Sequence, residues 1–319
     1  MRHVTFIMLL LVCSIVSNGQ TFRELKRKAE LGEVEAMHQL AKCYHLGDSI
    51  QQNYTLAVKW YQLAAQKGFP NSLNNLAICY MMGTGVPIDT IHAIQLLHQA
   101  AAYEFTTSMN SLATIFRNGG SFINPDSCFY WEQKAAEKGD SYSQFMLSIY
   151  YERGFGVQRN ERKAFEWRLK AAEAGDALAS ESIAVFYRDG LGVERNYEQM
   201  IFWLEKAAAN GRLNSLVYLG TMHQRGMYGL AIDKEKAFAL FMQAANQDDA
   251  WGAFELGECY RYGRGTNQDK NLARYWIYKA AKQGHESAIE AWQEIDTGID
   301  EGELRQKNEE YKQWFKTNR

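Results

Sequence analysis

The chain has 319 residues, of which 46% are hydrophobic and three are proline, and its formal net charge is −2. This length accommodates two ordinary domains or one long repeat array, and the shortage of proline favours long helices. The near-neutral charge provides no general attraction to nucleic acid or to an anionic membrane surface. We therefore expect no nucleic-acid partner.

The N-terminus differs from the rest of the chain, because residues 4–16 form an almost continuous apolar run after a short basic start. The run has the length of the hydrophobic region of a signal peptide and is too short to span a bilayer. Ser17 and Gly19 are small residues at the spacing that precedes a cleavage site. We predict a cleaved signal peptide at residues 1–19, an exported (periplasmic or secreted) protein and no stable membrane insertion after cleavage. The alternatives are a buried strand or helix, or lipid attachment at Cys13.

Beyond this region the chain repeats one unit of 35–37 residues about seven times. A glycine recurs at spacings of 36, 36, 35, 36, 36 and 37 residues. Glycine is favoured just past a helix end, because the left-handed backbone conformation there strains other residues. The glycines predicted to end the seven first helices in this conformation are Gly47, Gly83, Gly119, Gly154, Gly190, Gly226 and Gly263.

An Asn or Asp follows each of these glycines after five to seven residues. Such side chains accept hydrogen bonds from the free amides at a helix start, so a second helix is predicted to begin here. Each second helix carries a Trp or Leu and ends in paired alanines that favour close packing. A glycine usually follows, but Glu104 and Asp248 replace it in two units, where we predict another cap or a different bend. The predicted caps are Asn53, Asp89, Asn124, Asn160, Asn196, Asp233 and Asp269.

The first helices share an apolar face with the spacing i, i+4, i+5 and i+8, beginning at Ala36 in the first unit. This spacing lies on one side of a helix and predicts burial against neighbouring helices. The array is predicted to open on a half unit at residues 21–32 and to end in an amphipathic helix at residues 303–317. We thus predict a repeat domain at residues 20–298 and a capping helix at residues 299–319.

Three cysteines, Cys43, Cys79 and Cys259, share one position inside the first helices. Equivalent positions on stacked helices lie about 8–10 Å apart, beyond the usual reach of a disulfide. We therefore predict small, buried, free thiols rather than a disulfide framework.

The unit has a recurring signature of Leu or Ile, a small residue and Tyr, then G-x-G-V, then A-x-x-W-x-x-K-A-A-x-x-G. The best copy reads YERGFGV at residues 151–157, AFEW at 164–167 and KAAEAG at 170–175. This signature resembles the Sel-one-like repeat family, relatives of the tetratricopeptide repeat, and the resemblance covers roughly residues 20–298. Two copies are degenerate, with Ser49 and Ser121 in place of the second glycine. The resemblance implies an all-α, right-handed superhelical solenoid of about seven helix-turn-helix repeats, and an adaptor or scaffold role.

No catalytic constellation is recognisable in the sequence. The G-x-G segments lack the third glycine and the Lys-Ser/Thr ending of phosphate-binding loops, and are interpreted as helix-ending turns. His38, Cys43 and His45 are the densest group of potential metal ligands, but Cys43 lies on another side of the helix, so partly exposed polar side chains are favoured. We therefore predict that the chain is not an enzyme and holds neither a cofactor nor a metal.

The side of each first helix opposite the apolar face is predicted to line a concave groove. Counted from Ala36, this side comprises the positions i−1, i+2, i+6 and i+9. Their variation between units is compatible with a tailored binding surface and equally with unconstrained solvent-facing residues. Aromatic and Arg side chains are the usual interface anchors, although they also pack between units. The predicted groove residues are Asn74, Asn110, Arg117, Phe145, Ile149, Glu152, Arg188, Phe254 and Arg261.

The predicted function is a non-enzymatic scaffold or adaptor that binds a protein or peptide segment in the concave groove. The alternative is a factor that binds or processes a cell-envelope glycan or peptide. That alternative depends only on the predicted export and on the aromatic residues of the groove.

Overall fold

The computed structural model describes residues 22–48 and 50–295, which form helices and no strand. The predicted signal peptide and the predicted capping helix at 299–319 lie outside these residues. Pairs of helices, nearly all 13 residues long, follow one another through the described part. The first helices of the seven units are α2 (Val34–Leu46), α4 (Pro70–Met82), α6 (Thr106–Asn118), α8 (Ser141–Arg153), α10 (Ala177–Asp189), α12 (Leu213–Arg225) and α14 (Ala250–Tyr262). The second helices are α3 (Tyr54–Gln66), α5 (Thr90–Ala102), α7 (Pro125–Glu137), α9 (Glu161–Glu173), α11 (Tyr197–Ala209), α13 (Lys234–Ala245) and α15 (Lys270–Lys282). Helix α1 (22–30) precedes these pairs of helices, and α16 (Glu286–Ile295) follows them.

The seven predicted caps are confirmed, since each Asn or Asp side chain accepts a hydrogen bond from an amide in the first turn of a second helix. The Oδ1 atom of Asn53, for example, lies 3.0 Å from the amide nitrogen of Leu56. A cap of this kind stabilises a helix by about 1 kcal/mol. The repeating Asn or Asp therefore has a local structural cause.

Six of the seven predicted glycines end their helices in the left-handed conformation. The prediction is wrong for Gly119, whose φ is −81°. Here the path from the glycine to the next cap is one residue shorter, and a 3₁₀ helix at Gly120–Phe122 occupies it. Gly120 takes the positive φ instead, at 59°.

The second glycine of the G-x-G turns is required by close packing. Gly192 lies against the start of α9, where a Cβ would overlap the carbonyl oxygen of Glu161. Gly265 has the same relationship to Lys234 at the start of α13. The interpretation of these segments as turns, rather than phosphate-binding loops, is confirmed.

Glu104 and Asp248 replace the glycine that follows a second helix, yet both keep its conformation, with φ of 59° and 62°. Our prediction of a different bend is therefore wrong. Each acidic side chain forms an ion pair with a lysine, Glu104 with Lys138 and Asp248 with Lys279, both at 2.6 Å. Because both residues keep a positive φ, each turn carries the backbone strain of about 1–2 kcal/mol that is expected of a residue other than glycine in this conformation.

The described residues form two compact units, one that ends at residue 159 and one that begins at residue 160. Among the described residues of the first unit, Leu40, Leu97 and Leu112 are fully buried. Ile183 and Phe241 are fully buried in the second. The prediction of free thiols is confirmed for the four described cysteines, and Cys79 and Cys259 are buried as predicted, whereas Cys43 is only half-buried.

Candidate functional site

One side of each first helix remains open to solvent. In the compact unit that ends at residue 159, Ile78 and Tyr142 are 41% and 49% exposed. In the compact unit that begins at residue 160, Val185 and Trp251 are 38% and 43% exposed. These large side chains occupy the i−1 and i+6 positions counted from Ala36 and its equivalents. We define the open face as the positions i−1, i+3, i+6 and i+10 of each first helix. These positions share one side of the helix, opposite the middle of its buried side.

The i+2 positions are directed toward the next first helix rather than to solvent. In the first unit the Nδ1 atom of His38 lies 2.9 Å from the hydroxyl of Ser72. Ser108 donates to Oδ1 of Asn74 at 3.1 Å, and Ser143 donates to Oδ1 of Asn110 at 2.7 Å. These hydrogen bonds join consecutive first helices, and Asn74 is only 4% exposed. The prediction that Asn74 lies on an open face is therefore wrong, and Asn110 is half-buried in the same row.

The other predicted groove residues differ in their surroundings. Phe145 and Ile149 are half-buried, whereas Glu152 is exposed. Phe254 stacks on the imidazole of His285, with 4.8 Å between the ring centroids. Arg261 pairs with Glu258 and Glu294 at 3.4 and 3.2 Å. Phe254 and Arg261 thus also contact residues of their own unit.

The open face of the second unit contains a pocket of about 220 Å³ between α10, α11, α12 and α14. Its floor is apolar, and the exposed Val185 and Trp251 stand at its wall with Tyr218. The remaining lining residues are Glu181, Ala184, Arg188, Met200, Leu204 and Asn214. Of the predicted groove residues, Arg188 is the one that lines this pocket.

The charged groups at the pocket are satisfied by neighbours. The guanidinium of Arg188 donates two hydrogen bonds to Asp189, at 2.8 and 2.9 Å, and these raise the pKa of Arg188 above its ordinary value. The carboxylate of Glu181 accepts hydrogen bonds from Arg212 and Ser215. Each charge is thus paired with its opposite, so the rim presents little net charge to a ligand.

A buried carboxyl group in the first unit was not anticipated from the sequence. Glu132 on α7 is fully buried, and burial raises the pKa of its carboxyl from 4.5 to about 7. Glu132 directly follows Trp131, a position where apolar residues predominate in the other units. That departure is the signal that would have identified it. The equivalent residues are Tyr61, Leu97, Arg168, Leu204, Phe241 and Ile277.

Arg117 on α6 connects Glu132 to the open face. Its Nη1 atom lies 3.6 Å from Oε1 of Glu132 and donates to the hydroxyl of Tyr150 at 3.1 Å. Its Nη2 atom donates to the hydroxyls of Tyr142 and Thr114, both at 3.3 Å. Burial of the guanidinium disfavours its charged form, but Tyr150, Tyr142 and the carboxyl of Glu132 together outweigh this effect and raise the pKa of Arg117. The guanidinium therefore keeps its positive charge.

Among residues 22–48 and 50–295, no group of three His, Cys, Asp or Glu side chains is placed to hold a metal ion. His38 contacts Ser72, as described above, while His45 lies 3.9 Å from the sulfur of Cys79. No helix in this part of the chain combines the length and the apolar character needed to cross a bilayer.

Comparison with known proteins places the chain in a family. A profile of the Sel1 repeat matches the seven segments 34–69, 70–102, 106–140, 141–176, 177–211, 214–249 and 252–285. The chain therefore belongs to the Sel1 repeat family, and its fold is an all-α repeat solenoid.

Two solved structures support this assignment. A Sel1 repeat protein from Oxalobacter formigenes is 28% identical, with a TM-score of 0.71 over 87% of this chain and 80% of that one. The protein c5321, a protective antigen present in uropathogenic Escherichia coli strains and displaying an SLR fold, is 26% identical. Its TM-score is 0.52 over 85% of this chain and 73% of that one. Proteins built from Sel1 repeats are generally non-catalytic scaffolds that bind other proteins.

Proposed function

We propose that this chain is a non-enzymatic scaffold that binds an extended peptide segment of a partner protein on the open face of its first helices. The pocket beside Trp251 is the observation that carries this proposal. It places an exposed tryptophan, a tyrosine and an arginine together, and these three residue types dominate the energetics of protein interfaces.

The size of the pocket favours a single side chain of a peptide. Small-molecule sites usually enclose about 300–1,000 Å³, whereas this pocket has about 220 Å³. Its apolar floor of Ala184, Met200 and Leu204 suits one large apolar side chain, such as Leu, Phe or Met. The proposed partner segment therefore presents one such residue as an anchor.

The polar groups at the rim favour a peptide over a cell-envelope glycan. A bound sugar requires donors and acceptors for several hydroxyl groups, because buried polar groups without partners are costly. Glu181 and Arg188 already form hydrogen bonds with Arg212 and Asp189. Asn214 also lines the pocket, and its side-chain amide is suited to hydrogen bonding with a peptide backbone.

Selection of displayed random peptides on the full chain tests the proposal. We expect the bound peptides to be enriched in a large apolar residue, and Trp251→Ala to abolish that enrichment. The matched control is Phe202→Ala, because Phe202 has a similar exposure of 49% but lies on the second helix α11. Absence of any enrichment with the unmodified chain, or an equal loss in both variants, would contradict the proposal.

Export of the protein is a separate part of this proposal. It is supported by the composition of residues 1–19, which fits a signal peptide. Mass spectrometry of the N-terminus of the protein made in its own host tests it. A mature chain that begins near Gln20 would support export, whereas an intact Met1 in the cytosolic fraction would contradict it.

A further inference from the structure

Three arginines occupy the same i+9 position in different units, and they differ in what neutralises them. Arg188 donates two hydrogen bonds to Asp189, and Arg261 is paired with Glu258 and Glu294. The hydrogen bonds of Arg117 instead end on three neutral hydroxyl groups. Its nearest carboxylate is that of Glu132, at 3.6 Å, which accepts no well-aligned hydrogen bond.

The hydroxyls around Arg117 are suited to an anion. A hydroxyl that accepts a hydrogen bond from a guanidinium still has its own proton to donate. Tyr142 and Thr114 both accept from Nη2 of Arg117, and both are exposed on the open face. A carboxylate at this point would therefore meet two O–H donors beside a positive charge. Hydrogen bonds of this charge-assisted kind are stronger than those between neutral groups.

The buried side of the cluster leaves the positive charge available. Burial raises the pKa of Glu132 to about 7, so this carboxyl is largely neutral in mildly acidic solution. The other groups that face it are Cys128 on its own helix, Arg117 on α6, and Ser143, Tyr150 and the cap Asp140 of α8. None of the hydroxyls or the thiol carries a charge near neutral pH, and Asp140 is engaged at the start of α8. Arg117 is thus the charged group that directly contacts the exposed hydroxyls of Tyr142 and Thr114.

We propose that Arg117, Tyr142 and Thr114 form a recognition site for a carboxylate group of the partner, either an Asp or Glu side chain or the carboxylate at a chain end. The site lies within the compact unit that ends at residue 159 and adds a chemical preference to the open face, so its biological use depends on the proposed function. Binding of a small carboxylate to the site does not depend on the proposed function.

The site is tested with small probes on the full chain. The probes are N-acetyl-glutamate N-methylamide for a side chain and N-acetyl-alanine for a chain end, each compared with its neutral amide. The readout is the Nε–Hε NMR signal of Arg117, assigned by its absence in Arg117→Lys. We expect saturable shifts with acidic probes in the millimolar range and none with their amides. Whichever acidic probe saturates at lower concentration identifies the source of the carboxylate.

Matched variants connect the binding to the named groups. The double variant Tyr142→Phe with Thr114→Val removes both hydroxyls. It should reduce the affinity for the acidic probe by about tenfold while leaving the Arg117 signal observable. Arg261→Gln is the control, because Arg261 is already paired with two carboxylates, and it should leave the probe affinity unchanged. Identical shifts with acidic and neutral probes, or unchanged affinity without the hydroxyls, would overturn the site.

The peptide selection described above separates this inference from the proposed function. A site that is used by the partner should enrich Asp, Glu or a free chain end in the bound peptides, and Arg117→Gln should remove that preference while keeping the apolar residue. Apolar enrichment without any acidic preference would overturn this inference and leave the proposed function standing. Binding of the acidic probes without selection of any peptide would support the carboxylate site and contradict the proposed function.

Discussion

The carboxyl group of Glu132 lies 3.6 Å from the guanidinium of Arg117, yet no well-aligned hydrogen bond reaches either of its oxygens. The hydroxyls of Ser143 and Tyr150 are near enough to favour its charged form, but burial has the larger effect and raises the pKa to about 7. A buried ion pair of this geometry recovers only part of the cost of desolvation. The first unit therefore contains a core carboxyl group that titrates near neutral pH.

The stability of the protein is accordingly predicted to fall as the pH rises through the titration of Glu132. Between pH 4.5 and about 7 the unfolded chain ionises this residue while the folded chain keeps it protonated. The free energy of unfolding should decrease across that window by roughly 3 kcal/mol, and level off above it. Glu132→Gln lacks this titration, so its stability relative to the unmodified chain should increase with pH. Urea unfolding at a series of pH values measures the difference.

A control for this titration is Glu137→Gln, at the exposed end of the same helix. Its pH profile is expected to parallel that of the unmodified chain. Parallel profiles for Glu132→Gln as well would show that Glu132 does not titrate in this range.

The turn glycines provide a second prediction, because two glycines with positive φ have different surroundings. Gly192 lies against the carbonyl of Glu161, whereas a Cβ at Gly175 would meet nothing within 4 Å. Both alanine substitutions are strained by the left-handed backbone, at about 1–2 kcal/mol. Gly192→Ala also forces the backbones of α9 and its neighbouring turn apart, so its total cost is expected to be about 3 kcal/mol or more. Equal losses in chemical unfolding would contradict the packing argument.

The cysteines provide a third prediction, about the order of their reactions. Burial raises the pKa of the Cys79 thiol to about 11 and that of Cys259 to about 12. Few of these thiols are ionised near pH 8, and thiolate is the reactive form. Cys43 is half-buried, so we expect it to be alkylated first in the folded protein, with Cys79, Cys128 and Cys259 protected. Peptide mapping after timed iodoacetamide treatment measures the order, and comparable rates in denaturant provide the control.

The local features of the repeats could be predicted from the sequence because their causes are local. A cap such as Asn160 must accept from an amide three residues later, and a glycine such as Gly190 must complete the turn, wherever the unit lies. The same reasoning failed at Gly119, where a turn one residue shorter moves the positive φ to Gly120. A change in loop length alters which residue meets the constraint.

The open face could be predicted only in part, because its orientation depends on contacts between units of the repeat. The i−1 positions, which Tyr142 and Trp251 occupy, were correctly expected on the exposed side. The expectation for Asn74 was wrong, because the buried side of a first helix also includes the positions that contact the next first helix. The interaction of Arg117 with Glu132 was missed, since these residues are on different helices and no repeated position connects them.

The burial of Asn74 provides the last prediction, which separates a structural role from a binding role. Its Oδ1 atom accepts hydrogen bonds from Ser108 and Ser111, at 3.1 and 3.3 Å, on the next first helix. Asn74→Ala removes this acceptor and should reduce the free energy of unfolding by about 1–3 kcal/mol. A double-mutant cycle with Ser108→Ala should give a coupling energy of at least about 0.5 kcal/mol. Because the side chain does not reach the open face, the preference for selected peptides should remain unchanged in the folded variant. Normal stability combined with a changed peptide preference would restore Asn74 to the binding surface.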